Sequence, residues 1–539
     1  MVKRCCEKIT TLKVTSMHRI FQIDEILSLI FNHFLPEFNA NQSFVVTRNA
    51  FVAPIPDKAT KLTLLYSALT CRSFSAPALN ALWWALDDLQ PLFSLLPGFM
   101  KEGEKTFTIS GPILEDNCSI FLKYAMRIRF YNMTTKSNIH TSAYVKVLRA
   151  TSRSCLLPSL NHLRCTIDSR LLLFLISPLL RSFCAEGPSF ESWDIHTFID
   201  ELAPVAQNLN CLRLKMPLTD SVLKAISRAP SLEYLSLQGE DGHSFSITRI
   251  FESLSSSATL IYLHLAGALH IDDWSSPAPM LSFPNLRRIR LESEELLAIE
   301  NITNFLRCIK LPRLAKFKCY PALTATTEAP KADNLPDLLN TLGQATDFAL
   351  SEIDFGLYQV PYKSKVGPTI EDLPLLARFP LRYLRIPFLN SLSPDDITFM
   401  INSWPDLERL ELESLRPYKL QVTFKEVVKI AEGLPSLRIL RMECSVPGLQ
   451  FINEVPVLKH EMRTLRLRLS PAELSLNEPT RQDDPIIFAR CIDRIFPQLE
   501  LPSCSFRVTS GLDTSKWKQI DLILSQLQGA RNDQALCSR

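Results

Sequence analysis

The chain has 539 residues, a formal net charge of +3, and 46% hydrophobic residues against 21% charged ones. This hydrophobic content excludes wholesale disorder, and so small a net charge gives no argument for nucleic acid as a partner. The 14 cysteines include no C-x-x-C pair, and the disulfide framework of a small secreted protein is not expected in a chain this large. We therefore expect a folded protein of a reducing compartment, cytoplasmic, nuclear or both.

The first residues, 1–16, contain no apolar run of the kind that a signal peptide needs, and we predict an N-terminal tail there. The most apolar stretch, Leu171 to Leu180, contains Ser177 and Pro178 and is far shorter than the roughly 20 residues that span a bilayer. We expect no membrane segment.

Residues 17–95 show three helical patterns that together predict a small all-α module. The first runs from Ile20 to Phe34, the second begins at Leu62, and the third begins at Pro77. Three short helices cannot bury all of their apolar side chains among themselves, so some should remain available to a partner. The residues proposed for that contact are Ile23, Ile26, Leu27, Ile30, Leu69 and Trp83.

After a predicted linker, residues 96–119, one sequence phrase returns along the chain. It is Pro230-Ser-Leu232-Glu-Tyr-Leu235-Ser-Leu237, and copies begin at Pro284, Pro312, Pro405 and Pro435. Looser copies are anchored at Leu160, Leu180, Leu209, Leu260, Leu381 and Leu499. An interval of mostly about 20 to 37 residues is typical of a solenoid rather than of a single globular core.

Each repeat has the pattern of a strand followed by a helix. Alternation buries Leu235 and Leu237 and exposes Tyr234, Ser236 and Gln238. The helical halves carry start signals, namely Thr219, Ser393 with Asp396, and Thr423 with Glu426. We predict an α/β solenoid over residues 120–510, a horseshoe of about 11 to 13 repeats with parallel strands on its concave face. Residues 511–539 should form a C-terminal helix or tail.

Sequence signals for catalysis are missing. Only 14 glycines occur, and none forms a G-x-G-x-x-G, G-x-x-x-x-G-K-[ST] or G-x-S-x-G motif. The nine histidines show no metal-ligand spacing and no H-E-x-x-H. We therefore expect no enzyme activity, no cofactor and no metal.

One electrostatic pattern lies in the predicted strands. Alternate positions would place a basic column on the exposed side of the sheet, with neighbouring strands about 5 Å apart. Its members are Arg288, Arg290, Lys316, Lys318, Arg385, Arg409, Arg441, Arg466 and Arg468. Such a column suits carboxylate or phosphate ligands. The alternative is an ordinary solvated face, because Glu292, Glu411, Glu413 and Glu443 partly neutralise it.

Three segments of the helical module carry a family resemblance. They are Ile23-Asp-Glu25-Ile26-Leu27-Ser-Leu29-Ile30-Phe31, Leu69-Thr-Cys71-Arg72-Ser73-Phe74, and Leu79-Asn-Ala-Leu82-Trp83. In this order they resemble the F-box, and with the repeats the chain resembles the large fungal group of F-box proteins with leucine-rich repeats. The resemblance implies a substrate receptor of a Skp-cullin-F-box type ubiquitin ligase.

In that scheme, residues 17–95 dock on a Skp-type adaptor and through it on a cullin, while the repeats bind a target protein. The basic column would favour a target that is acidic or phosphorylated, and neither nucleic acid nor membrane is expected as a partner. The alternative is a leucine-rich-repeat scaffold or regulator that acts outside the cullin complex. Adaptor binding distinguishes the two.

Overall fold

The structure is a computed structural model of the 539-residue chain. It describes residues 24–35, 55–103, 106–134, 138–166, 170–186, 193–216, 218–239, 244–255, 257–271, 280–293, 299–319, 334–356, 373–388, 392–414, 422–445, 455–458, 460–470, 485–501, 504–508 and 519–537. The predicted N-terminal tail lies outside these residues. The chain divides into two compact units, Met1–Phe245 with Arg249–Ala268, and Ser246–Thr248 with Leu269–Arg539.

The first unit begins with three helices, α1 (Asp24–Asn32), α2 (Lys58–Thr70) and α3 (Arg72–Leu82). The side chain of Asp57 caps α2 by accepting a hydrogen bond from the Thr60 amide at 2.7 Å. Pro77 lies inside α3 rather than at its start, so the predicted start of the third helix is wrong. The helices share a core of small and apolar side chains, namely Leu27, Phe31, Leu64, Ala68, Ala78 and Ala81.

Regular structure continues directly beyond the helical module. A short strand, β1 (Ala85–Leu86), pairs in parallel with β4 (Phe130–Met133). Between them lie α4 (Gln90–Phe93), an antiparallel hairpin of β2 (Phe99–Glu102) and β3 (Thr106–Ile109), and α5 (Glu115–Ala125). The segment predicted as a linker therefore contains a hairpin and the start of a helix. Gly98 adopts a positive φ of 77°, and a Cβ there would meet the Ser110 carbonyl oxygen at the other end of the hairpin.

The rest of the first unit repeats strand and helix. After β4 the chain forms α6 (Thr141–Thr151), β5 (His162–Cys165), a 3₁₀ helix (Arg170–Leu175), β6 (Ser182–Glu186), α7 (Trp193–Val205), β7 (Cys211–Lys215), α8 (Asp220–Ser227), β8 (Tyr234–Gln238), β9 (Ser244–Ser246), α9 (Ile247–Leu254) and β10 (Tyr262–His270). The last three elements share a few residues with the second unit. The parallel strands follow chain order in the sheet, β1, β4, β5, β6, β7, β8 and β10, with β9 pairing β10 at the side.

The second unit also alternates strands and helices. Its elements are β11 (Leu281–Ser282), β12 (Arg288–Ser293), α10 (Ile299–Arg307), β13 (Ile309–Lys310), β14 (Lys316–Cys319), α11 (Asn334–Thr346), β15 (Glu352–Phe355), α12 (Leu373–Leu376), β16 (Tyr383–Phe388), α13 (Pro394–Ser403), β17 (Arg409–Ser414), α14 (Phe424–Gly433), β18 (Ile439–Ser445), β19 (Thr464–Ser470), α15 (Pro485–Ile495), β20 (Ser505–Val508) and α16 (Ile520–Cys537). The long parallel sheet has the order β12, β14, β15, β16, β17, β18, β19 and β20, and β11 pairs with β13 outside it.

Parallel strands joined by helical crossovers, one pair to a repeat, are the architecture of a leucine-rich-repeat solenoid, as predicted. The repeating phrase explains this architecture: the anchor leucine and the two apolar strand positions are buried in the five copies that begin with proline, as at Leu232, Leu235 and Leu237. The predicted helix starts are also present. Ser393 with Asp396 and Thr423 with Glu426 form complete capping boxes, and Thr219 caps α8.

The outward positions of β8 and β10 differ from the prediction. Ser236 and His264 are buried, and the Ser236 hydroxyl lies 3.0 Å from His264 Nδ1. Tyr262 is buried too, with its ring centroid 6.2 Å from that of Tyr234. These side chains cover one another across neighbouring strands, so Ser236, Tyr262 and His264 do not form the exposed surface that alternation alone predicts.

Candidate functional site

The residues predicted to bind a partner through the helical module occupy different environments. Leu27 is 1% exposed and belongs to the core of the module, which corrects its assignment to a binding surface. Ile26 is half-buried, whereas Ile30 is 40% and Leu69 37% exposed. Ile23 lies outside the described residues.

Helix α2 carries apolar side chains on two faces. Leu64 and Ala68 point into the core, while Leu62, Leu65, Tyr66 and Leu69 are exposed. Positions i, i+3, i+4 and i+7 fall on one side of a helix, so these four form a continuous outward stripe, called here the α2 stripe. On α1, Leu29, Ile30 and Phe34 just beyond its end are exposed as well. Ile30 and Leu69 were predicted from the sequence as partner-binding residues, and the other exposed residues were not. The leucine spacing of α2 signals the members of the α2 stripe.

Trp83 packs within the chain. Its ring centroid lies 4.7 Å from that of Tyr124 at the end of α5, and the indole is half-buried. The residue joins the helical module to the first repeat, so part of the surface that the sequence assigned to a partner is used internally.

The predicted basic column exists in the second unit as two adjacent rows across the sheet. One row runs Arg288, Lys316, Glu352, Tyr383 and Arg409, and the next runs Arg290, Lys318, Asp354, Arg385, Glu411, Arg441 and Arg466. The in-register stacking of the cations was correctly predicted for these two rows, whereas the predicted Arg468 lies opposite Glu443, outside both of them. Carboxylates, however, interrupt the cations: Glu352 lies in the first row, and Asp354 and Glu411 lie in the second.

Two of these carboxylates are almost completely buried and gather several cations each. Asp354 contacts Lys318 Nζ at 2.9 Å and Arg385 Nη1 at 3.8 Å. Glu411 contacts Arg385 Nε at 3.6 Å and Arg441 Nη1 at 3.9 Å, and it also pairs with Arg409. Arg385 thus bridges both acids. Buried carboxylates need such partners, because a buried charge without one is costly.

Tyr383 sits inside this network. Its hydroxyl donates to Asp354 Oδ2 at 3.1 Å, and the Arg409 guanidinium lies 4.6 Å above its ring. Burial, together with the negative charges of Asp354 and Glu411, raises the pKa of Tyr383 well above its usual range. The phenol is therefore a fixed hydrogen-bond donor and holds the Asp354 carboxylate in place.

Positive charge is concentrated toward the last strands. Arg466 and Arg468 are exposed, and Arg441 is half-buried beside them. Among the described side chains of β18 and β19 the one carboxylate is Glu443, which is buried opposite Arg468, and burial raises its pKa. This group, Arg441, Arg466 and Arg468, is called the arginine end of the sheet. It presents guanidinium groups, which suit carboxylate and phosphate oxygens.

The neutralising acids Glu352 and Asp354 were not predicted. The repeat that contains them was not among the copies recognised from the sequence, and it lacks the proline of the repeating phrase. The anchor and strand positions are nevertheless present as Leu350, Ile353 and Phe355, all buried. The leucine spacing alone, without the proline, therefore signals this repeat and the two acids in it.

Within the described ranges, no group of three or more His, Cys, Asp or Glu side chains could hold a metal ion. No helix in the part of the chain that the structure describes is long and apolar enough to cross a membrane.

Comparison with known proteins gives distant likenesses. No family model matches the chain, and no curated protein matches it. Among solved structures, a leucine-rich-repeat protein of Leptospira interrogans is 15% identical with a TM-score of 0.35, covering 78% of this chain and 99% of that one. A yeast complex of Rad7 and Elc1 is matched at 12% identity and a TM-score of 0.38, covering 80% and 99%. At these levels the likenesses carry no conclusion about activity or partners.

Proposed function

We propose that the protein is the substrate-recognition subunit of a Skp-cullin-F-box type ubiquitin ligase. Residues 17–95 bind a Skp-type adaptor and through it a cullin, and the repeats hold a target protein. The observation that carries this proposal is the set of exposed apolar side chains on α1 and α2, in a module attached to a repeat solenoid. The F-box resemblance of the same segments supplies the identity of the partner.

Exposing these apolar side chains of α1 and α2 to water costs free energy when the chain is alone. Leu29 and Tyr66 are each 65% exposed, and Leu62, Leu65 and Phe34 are exposed as well. Removing apolar surface from water is worth about 25 cal/mol per Å², so a partner that covers the α2 stripe gains free energy. Contiguous apolar surface of this kind marks a protein interaction site.

The role proposed for the chain includes no bond chemistry of its own. Holding a target beside the catalytic subunits of the ligase converts a bimolecular encounter into a local one, which is sufficient for catalysis by proximity. No cofactor is needed for that role, and a cytoplasmic or nuclear location is consistent with it.

For the target we propose an acidic or phosphorylated segment that binds at the arginine end. The earlier part of the column is less suited, because two buried acids, Asp354 and Glu411, lie among its cations. Glu411 also contacts Arg441, at the edge of the arginine end. Arg466 and Arg468 are exposed on neighbouring positions of β19. An anionic segment lying along this strand could contact both.

Adaptor binding is tested by co-expressing the full chain with a Skp-type adaptor and measuring co-purification. Ile30→Glu with Leu69→Glu should abolish it, because both side chains are exposed and a carboxylate would be buried in the interface. Leu179→Glu, at an exposed leucine outside the module, is the matched control and should bind normally. A Leu27 variant is unsuitable, since that side chain belongs to the core.

The alternative, a scaffold outside the cullin complex, predicts a different result. The wild-type chain and the Ile30 and Leu69 double variant would then both capture target proteins, and neither would retain the adaptor. Retention of the adaptor by the Ile30 and Leu69 double variant would also count against the proposed interface.

Target recognition is tested by affinity capture and mass spectrometry with and without proteasome inhibition. Arg466→Ala with Arg468→Ala should reduce target capture and its sensitivity to salt, because screening weakens exposed charge contacts. Arg382→Ala, at an exposed arginine that pairs with Glu408, is the control. Capture that responds neither to salt nor to the double substitution would identify the arginine end as a solvated face.

A further inference from the structure

A cavity of about 430 Å³ lies where the helical module meets the first repeat. The cations Lys123, Arg127 and Arg129 line it from the end of α5 and the residues just beyond. Hydrogen-bonding side chains come from the module, Ser28 and Asn32 on α1 and Asn80 on α3. No aspartate or glutamate of the described chain lines it. The cavity therefore carries positive charge that its own walls do not neutralise.

Arg127 is held in place by neutral acceptors. Its Nη1 donates to the Ala76 carbonyl at 3.1 Å and to the side-chain oxygen of Asn80, while its guanidinium lies 5.7 Å from the Tyr124 ring centroid. Its Nε is buried and has no hydrogen-bond partner among the described residues. Burial lowers the pKa of Arg127, because an ion removed from water without an opposite charge is destabilised. An anion in the cavity would relieve this cost.

Arg129 is also fixed, since its Nη1 donates to the Ser159 carbonyl at 3.1 Å. Two guanidinium groups are thus oriented before any ligand arrives, and Lys123 is exposed at the same cavity. Fixed donors lose little conformational entropy on binding. Guanidinium forks with an added ammonium suit the several oxygens of a phosphate better than the two of a carboxylate.

We propose that this cavity binds the phosphate group of a phosphorylated ligand, with Lys123, Arg127 and Arg129 as its cationic contacts and Asn80 and Asn32 as hydrogen-bonding neighbours. The site is distinct from the α2 stripe and from the arginine end, and it does not depend on the ligase role. Because its walls come from both the helical module and the first repeat, a bound phosphate would link the two.

The test uses the full chain and isothermal titration calorimetry at constant ionic strength, with inorganic pyrophosphate as the probe. Saturable binding with one site is expected. Lys123→Glu should weaken it at least about tenfold, since a charge-assisted contact is lost and a repulsive one gained. Lys101→Glu makes the same change of charge at an exposed lysine of the hairpin and should leave the affinity unchanged.

A second variant tests whether a loss of pyrophosphate binding could be caused by misfolding. Asn80→Asp preserves the shape of the side chain and places a carboxylate beside Arg127, so the chain should remain folded by circular dichroism while pyrophosphate binding is lost. No binding at millimolar pyrophosphate or phosphopeptide, or equal weakening by Lys101→Glu and Lys123→Glu, would overturn the proposal.

The source of the phosphate is distinguished by a parallel titration with a phosphoserine peptide and its unphosphorylated form. Tighter binding of pyrophosphate indicates a small free anion. Tighter binding of the phosphopeptide, weakened by Lys123→Glu and absent without the phosphate, indicates a modified protein segment. Both results place the phosphate group at this cavity.

Discussion

The hydroxyl of Tyr383 on β16 donates a hydrogen bond to Asp354 on the neighbouring strand β15, across 3.1 Å. Asp354 is nearly buried and also contacts Lys318 and Arg385. The sheet face that the sequence predicts as a basic column is therefore partly an internal network, in which a buried acid organises the surrounding cations.

Replacing that acid should destabilise the second unit. Asp354→Asn would remove the carboxylate that Lys318 and Arg385 both contact, while Arg385 would keep its contact with Glu411. Because both cations are partly exposed, we expect a loss of about 1–3 kcal/mol in the free energy of unfolding. Urea denaturation measures it. Asp406→Asn, at an exposed position, is the control. An unchanged unfolding midpoint for Asp354→Asn would show that the network contributes nothing to stability.

Stability should fall at acidic pH through His162. Burial, aided by the charge of Arg181, lowers the pKa of His162 to about 4 from the usual 6.5. The unfolded chain therefore takes up the proton first, so stability is retained above pH 6.5 and is lost as the pH falls from 6.5 toward 4, by up to about 3 kcal/mol. His162→Asn should flatten this part of the profile, whereas His33→Gln, at an exposed histidine, should not. Equal profiles for wild type and His162→Asn would contradict the assignment.

Thiol reactivity should separate buried from accessible cysteines. Burial raises the pKa of Cys184 to about 12 from 9.0, which lowers its thiolate fraction about a thousandfold. Maleimide labelling followed by peptide mass spectrometry should modify the half-buried Cys71 long before Cys184, Cys211 or Cys319. Rapid labelling of Cys184 in the native protein would mean that its strand opens readily.

The helix starts of the repeats should contribute measurably to stability. In the capping box of α14, the Thr423 amide donates to Glu426 at 2.7 Å and the Thr423 hydroxyl to the same carboxylate at 2.6 Å. Thr423→Ala should cost about 1 kcal/mol in thermal or urea unfolding. Ser436→Ala, in an exposed loop, provides the baseline. A cost no larger than that baseline would show that the helix is held by packing alone.

The sequence by itself determined the fold class. The leucine spacing specifies the buried strand positions of the five copies that begin with proline, and the caps at Thr219, Ser393 and Thr423 specify helix starts. Both are local sequence patterns with a fixed spacing. The order of the cations along the sheet was also predictable, because equivalent positions of parallel strands in register lie side by side in one row.

Tertiary structure decided which of the predicted binding residues are exposed to a partner. Leu27 and Leu69 look alike in sequence, yet one is in the core and the other exposed, since the direction of a helix face depends on what packs against it. Trp83 contacts Tyr124, and Arg127 contacts Asn80, through separations of about 40 to 50 residues that no local pattern encodes. The burial of a side chain, the acids that pair with a cation, and the charged cavity at the start of the repeats all depend on such distant neighbours. They are therefore determined only when the chain is folded.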